Sequence, residues 1–121
     1  MRIYSLFSPN FDKKKRKKKA IKTVVIHYTG MQSERESLNK LCNLKSKVSS
    51  HFFISKNGKI YNLVKENKTA WHAGKSCWRN FKNLNKNSIG IELANKGHEF
   101  GYTSFKKKQI SSLIMVIKMV I

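Results

Sequence analysis

The stretch that most constrains the fold is Thr23-Val24-Val25-Ile26-His27-Tyr28-Thr29. Thr23 to Ile26 are β-prone residues in succession, unbroken by charge, and the pattern predicts a strand buried on both faces in the middle of a sheet. His27 stands where that run gives way to Tyr28-Thr29-Gly30. An imidazole at the mouth of a buried strand is held rigidly and still reaches a cleft. From this stretch alone His27 is either a core-edge histidine with a satisfied hydrogen bond or a metal ligand.

A chain of 121 residues holds one domain with one core. Its net charge of +20 invites a polyanion-binding reading, yet Lys, Asn and Ile are abundant while the chain has 1 Pro and 6 Gly. That bias is what a coding sequence rich in A and T produces. Either origin gives attraction to polyanions without specificity, so no specific nucleic acid is expected. Cys42 and Cys77 lack metal-type spacing and fit a reducing compartment. The residues before Ser8-Pro9-Asn10 are too few and too interrupted for a signal-peptide core, and no apolar run reaches the length of a membrane span. The expectation is a cytoplasmic monomer, or a periplasmic or wall-associated protein if translation starts elsewhere.

Lys13 to Lys19, with Arg16 in the middle, is an unbroken cationic run and reads as the end of a solvated basic arm, residues 1–20, ahead of a domain over 21–121. From Glu34 to Val48, Leu38, Leu41, Cys42, Leu44 and Val48 fall on one helical stripe. Ser33 is its N-cap, and Glu34 and Glu36 suit the first turn. Asn57-Gly58 between two apolar runs predicts a two-residue type I′ hairpin that pairs Ile54 with Tyr61 and Phe52 with Leu63. Then His51, Phe53, Ile60 and Val64 share the other face.

Residues 67–87 show no periodicity and contain Ala70-Trp71-His72-Ala73-Gly74 and Trp78-Arg79. Aromatic and histidine residues in such a loop either touch a ligand or pin the loop. Ser88 to Leu93 is a strand with Ile89, Ile91 and Leu93 on one face and Gly90, Glu92 and Ala94 on the other. A carboxylate flanked by small residues in an apolar strand has room in front and little water around it. Burial of that kind tunes a Glu for acid–base work. Phe105 to Ile121 is a helix with so little polar face that it must be largely covered.

Three stretches therefore stand in order: Val25-Ile26-His27-Tyr28-Thr29; Ser50-His51-Phe52-Phe53-Ile54 leading into the Asn-Gly turn; and Trp71-His72-Ala73-Gly74 followed by Ser88-Ile89-Gly90-Ile91-Glu92-Leu93. Together they resemble the zinc-dependent N-acetylmuramoyl-L-alanine amidases, the type shared with phage lysozyme amidases and animal peptidoglycan recognition proteins. The resemblance runs from about Ser8 to the last residue. It implies an α/β fold, a central mixed sheet flanked by helices with a groove across one face. It also implies that His27 is the first zinc ligand and that Glu92 polarises the zinc-bound water. Tyr28, His51, Trp71, His72 and Asn95 would contact peptidoglycan or a muropeptide. The bond cut would join N-acetylmuramic acid to L-alanine. Some relatives lacking the Glu place a Tyr before the hairpin His; here that residue is Ser50.

The family's remaining ligands, a His and an Asp or Cys, and an oxyanion-stabilising Lys follow the last helix, and this chain ends at Ile121. His98 precedes that helix and Asp12 is the only Asp. A catalytic zinc takes three protein ligands and a water. The expectation is thus an amidase-like domain lacking the family's final segment, with an incomplete zinc site and impaired catalysis. Three alternatives stand beside it: a non-catalytic muropeptide-binding module, a basic polyanion-binding protein, and a metal site rebuilt from His27 with His51 or His72 and Glu92.

Overall fold

A computed structural model describes residues 2–74, 82–97, 100–101 and 103–121. Cys77, Trp78, Arg79 and His98 lie outside the described residues. The strands are β1 (Ile3–Ser5), β2 (Phe11–Asp12), β3 (Thr23–Tyr28), β4 (Phe52–Ile54), β5 (Ile60–Asn62), β6 (Thr69–Ala70) and β7 (Ser88–Leu93). The helices are α1 (Glu34–Cys42), α2 (Leu84–Asn87) and α3 (Lys107–Val120). A five-stranded mixed sheet runs in the order β1-β5-β4-β7-β3, and β2 pairs with β6 in a separate ribbon. β4 and β5 are antiparallel, while β1, β3 and β7 join their neighbours in parallel. The α/β architecture with a mixed sheet between helices is the expected one.

The alternation read in β7 holds. Ile89, Ile91 and Leu93 pack with Phe52, Ile54 and Ile60 beneath Leu113 and Val116 of α3. On the other face Phe53 and Ala94 pack with Leu63 and with Leu41 of α1. Each fully buried aliphatic or Phe side chain contributes roughly 1.5–3 kcal/mol through lost apolar surface.

β3, however, is an edge strand; β4 stands at the middle of the sheet and β7 lies between β4 and β3. Among the described residues β3 pairs only with β7, and Ile26 and Tyr28 stand half-exposed. An unbroken β-branched run shows that a residue suits a pleated sheet; it does not say how many neighbours the strand has.

The hairpin register also differs. Ile54 faces Ile60, Phe53 faces Tyr61 and Phe52 faces Asn62. The amide of Ser55 donates to the Lys59 carbonyl (2.9 Å), leaving residues 56–58 as a three-residue loop. A type I′ turn needs positive φ at both central residues, but of Asn57 and Gly58 only Gly58 has it, at +84°. The one-residue shift puts Ile60 on the α3 face with Ile54, and leaves Phe53 opposite Tyr61.

Helix α1 starts as expected, with Ser33 Oγ accepting from the Glu36 amide (3.1 Å), but it stops at Cys42. The Asn43 side chain accepts from the Lys45 amide (2.9 Å), a 3₁₀ turn follows over Leu44–Ser46, and Lys47 is left-handed at φ 54°. An Asn that caps its own downstream amide competes with helix continuation. Leu44, read as part of the stripe, is 65% exposed. Helix α3 is less covered than expected: Ile114, Met115 and Met119 of its outer face are exposed.

The first twenty residues do not form a free basic arm. β1 adds to the main sheet, the Ser8 amide bonds the Leu63 carbonyl, and buried Asn10 donates to the carbonyls of Asn43 and Val48 (2.8 Å each). Arg16 leaves the cationic run and donates to the carbonyls of Glu66 (3.0 Å), Asn85 (3.0 Å) and Lys86 (3.2 Å). Likewise the stretch read as irregular holds β6 and α2.

Gly58 joins the hairpin to α3: a Cβ there would lie 2.7 Å from the Lys108 carbonyl oxygen, with the backbone already in the left-handed region. Gly58→Ala is therefore expected to destabilise the chain by about 2–3 kcal/mol, read as a lower urea midpoint. An unchanged midpoint would show that the turn relaxes freely.

Candidate functional site

Parallel pairing of β3 with β7 aligns His27 with Glu92, and Val25 with Gly90. Residues paired across a ladder share a face, so the imidazole and the carboxyl project side by side, on the α1 side of the sheet. Across β4, Phe53 pairs with Glu92 and completes the apolar wall. Burial pushes the Glu92 carboxyl up to about 7, against the pull of the Lys40 charge. Its Oε2 is buried without a hydrogen-bond partner. Such an atom is costly in a merely structural carboxyl and is what an acid–base group requires.

Glu92 opens on a cavity of about 120 Å³ whose walls include Thr29, Lys40, Ser49, Trp71 and His72. A larger cleft of about 920 Å³ lies below α3, between Ile3, Val24, Phe52 and Val120. No histidine is among its lining residues, whereas His72 and Glu92 both line the smaller cavity.

Trp71 and His72 both line this cavity, each pinned from a distant part of the chain. Trp71 Nε1 donates to Asp12 Oδ1 (2.8 Å) and its amide donates to Ser49 Oγ (2.9 Å). The amides of His72 and Ala73 both donate to Asn85 Oδ1 (3.0 and 2.8 Å). The His72 ring lies over Gly90, where a Cβ would come within 2.4 Å of its Cγ. Gly90 is therefore required by space rather than by turn geometry. His72 Nδ1 lies 3.0 Å from His27 Nε2, and His72 Nε2 lies 2.9 Å from Ser88 Oγ.

Three residues expected in the groove are elsewhere. His51 is fully buried: Nδ1 accepts from the Gly90 amide (3.0 Å), so a neutral ring carries its hydrogen on Nε2, which donates to the Lys68 carbonyl (2.9 Å). It braces β7 against the 65–68 turn. Tyr28, one residue past His27, projects from the opposite face and lays its ring on Gly30 and Gly97. Asn95 is buried; Nδ2 donates to the Thr103 carbonyl (2.9 Å) and Oδ1 accepts from the Gly97 amide (2.9 Å), which leaves it a loop anchor. Conversely Arg16, Asp12, Asn85 and Ser88 support the site and were not singled out from sequence. The only signal for Arg16 was an arginine among lysines, since its planar fork serves several carbonyls at once.

Burial lowers the pKa of all three described histidines. His27 is shifted down by desolvation. His51 is held at about 4 by burial and by the Arg16 guanidinium, against the bond to Lys68. His72 falls to about 3 through burial and the neighbouring His27, His51 and Arg16.

These shifts make stability depend on pH with opposing signs. An unfolded chain ionises Glu92 near 4.5 and the folded chain near 7, so stability is lost as pH rises through that window. Unfolded histidines protonate near 6.5 but the folded His51 and His72 only near 4 and 3, so stability is lost as pH falls below 6.5. Two imidazoles outweigh one carboxyl. The urea midpoint is expected to fall on acidification from pH 6.5 to 4.5, and Glu92→Gln is expected to steepen that fall and to raise the midpoint above pH 7. A Glu92→Gln variant with the wild-type pH profile would mean that the carboxyl titrates normally.

Comparison with known proteins identifies the family of this chain. The sequence profile of the N-acetylmuramoyl-L-alanine amidase family matches residues 17–121. The chain is 40% identical over 114 residues to the N-acetylmuramoyl-L-alanine amidase AmiD of Escherichia coli K12, covering 84% of this chain and 40% of AmiD. It therefore spans about two-fifths of that relative's length. It superposes with TM-score 0.75 and 39% identity on E. coli AmiD in complex with anhydro-N-acetylmuramic acid-L-Ala-D-gamma-Glu-L-Lys, covering 84% of this chain and 43% of that one. Pseudomonas aeruginosa AmpDh3, in complex with anhydromuramic pentapeptide, gives TM-score 0.77 at 29% identity over 84% of this chain and 45% of its own. On the profile match, which spans most of its length, the chain belongs to the N-acetylmuramoyl-L-alanine amidase family.

Proposed function

We propose that this chain acts on the amide between N-acetylmuramic acid and L-alanine in peptidoglycan or muropeptides, with Glu92 as its acid–base residue. The observation that carries the reading is the buried, unpartnered Oε2 of Glu92 beside His27, at the floor of a cavity bordered by Trp71 and His72. A carboxyl whose pKa sits near 7 is half-ionised at neutral pH, suited both to accept and to return a proton. As water attacks the amide carbonyl, Glu92 takes its proton. As the C–N bond breaks, Glu92 passes that proton to the departing L-alanine amine. Lys40, on the cavity wall, offsets negative charge that develops there. The E. coli and P. aeruginosa relatives bound to anhydromuramyl peptides support the substrate class.

Zinc is what the family resemblance implies, and His27 Nδ1 is one nitrogen free to meet it. Among the described residues no three His, Cys, Asp or Glu side chains converge. His51 and His72 already commit both ring nitrogens, so a metal site rebuilt from them is not formed. The described donors do not fit a catalytic zinc, and no step is routed through one. This same observation favours a second reading, a module that holds muropeptides without cutting them.

Purified chain, with and without added zinc, is expected to release peptide carrying a free L-alanine amine from an anhydromuramyl tripeptide. Glu92→Gln is expected to lower that rate by about 10²–10⁴-fold while calorimetric binding of the tripeptide stays unchanged. Binding without release establishes the non-catalytic reading. Release unaffected by Glu92→Gln, or no binding at all, overturns the assignment.

A further inference from the structure

We propose that Ser88 and His72 are positioning residues that fix the tautomer of His27, so that its hydrogen sits on Nε2 and its lone pair on Nδ1. This deepens the amidase reading and rests on it, since that reading sets His27 beside Glu92. The direction of the whole chain of hydrogen bonds is set at its far end, where α2 meets β7. The Leu84 carbonyl can only accept, and Ser88 Oγ–H donates to it at 2.5 Å. A hydroxyl has one hydrogen, so toward His72 Nε2, at 2.9 Å, Ser88 Oγ must accept. His72 Nε2 therefore carries the hydrogen of the neutral ring, and Nδ1 is left as an acceptor. His27 Nε2, 3.0 Å away, must then donate to it. A neutral His27 bonded in this way has no hydrogen on Nδ1. The reverse order would turn the Ser88 hydroxyl to His72 and set its lone pair against the Leu84 oxygen at 2.5 Å.

The surroundings hold this order in place. Ser88 is fully buried, so water does not compete for its hydroxyl. Asn85 Oδ1 grips the amides on either side of the His72 ring, and Gly90 leaves the ring its space. His51, although its ring centroid lies 6.1 Å from that of His72, takes no part; Nδ1 serves the Gly90 amide, and Nε2 faces the Lys68 carbonyl and Arg16 Nη2, 3.1 Å away. Histidines that serve as ligands or bases commonly have the unused nitrogen oriented by such a partner. Here the orienting group is a second histidine, locked by a serine and a backbone carbonyl.

The test is two-bond ¹H–¹⁵N NMR of the imidazole nitrogens at neutral pH, without substrate or metal, with signals assigned by single substitutions. In the wild-type chain His27 and His72 are both expected to show a pyrrole-type Nε2 and a pyridine-type Nδ1. Ser88→Ala is expected to collapse the His72 pattern toward a tautomer average and to carry His27 with it, whereas Ser88→Thr retains the wild-type spectrum. If Ser88→Ala does not fold, His72→Gln, whose amide can donate or accept, is expected to produce the same averaging at His27. A wild-type His27 protonated on Nδ1, or a His27 spectrum unmoved by these variants, overturns the proposal. Because the spectra involve no turnover, the result stands apart from whether the chain cleaves its amide.

Discussion

The parallel pairing of β3 with β7 is the interaction from which the site follows. A ladder that sets His27 opposite Glu92 puts two ionisable groups on one face, one strand spacing apart, with no loop needed to bring them together. A slip of one residue would turn one of them to the α3 face, into the cluster of Ile89, Ile91 and Leu93. That cluster and the Phe53–Leu41 cluster opposite it hold the register, since any slip would expose both. The stability of the apolar cores and the placement of the polar site are thus one constraint.

Around that ladder the loop 71–74 is held by groups drawn from three distant segments. Asp12 takes the Trp71 indole, Ser49 takes the Trp71 amide and Asn85 takes the next two amides. Arg16 ties the turn before β6 to α2, and through α2 to the same loop. Side chains placed by this many bonds from rigid elements keep a fixed geometry without any one strong contact. The strongly basic segment thereby serves the fold with one residue, Arg16, while its lysines remain at the surface.

The site is also an electrostatic compromise. Burial penalises the ionised Glu92 and the protonated histidines alike, so the neutral form of every group is favoured near pH 6. A chain of net charge +20 gains from this, because buried imidazolium would add to its self-repulsion. Neutral imidazoles can form the directed chain from Leu84 to His27, in which each nitrogen has one role.

The sequence by itself determined the local chemistry and much of the fold. Alternation in Ser88 to Leu93 declared which residues share a face with Glu92; Ser33 marked the start of α1; and the ordered His27, Trp71-His72 and Ile-Gly-Ile-Glu stretches pointed to one family. These are short-range signals, each written within a few consecutive residues. Only the tertiary structure decided that β3 lies at the sheet edge, that Tyr28 and Asn95 turn away from the site, and that His51 braces the sheet. It alone brought Arg16, Asp12, Asn85 and Ser88 to their partners. Those outcomes depend on which strand pairs with which and on which carbonyl lies within about 3 Å of a given side chain. Contacts between residues dozens of positions apart leave no periodicity in the chain. A single histidine reads alike whether its nitrogens will meet a backbone amide or another side chain, and packing decided this for His51, which meets backbone, and for His72, which meets His27 and Ser88.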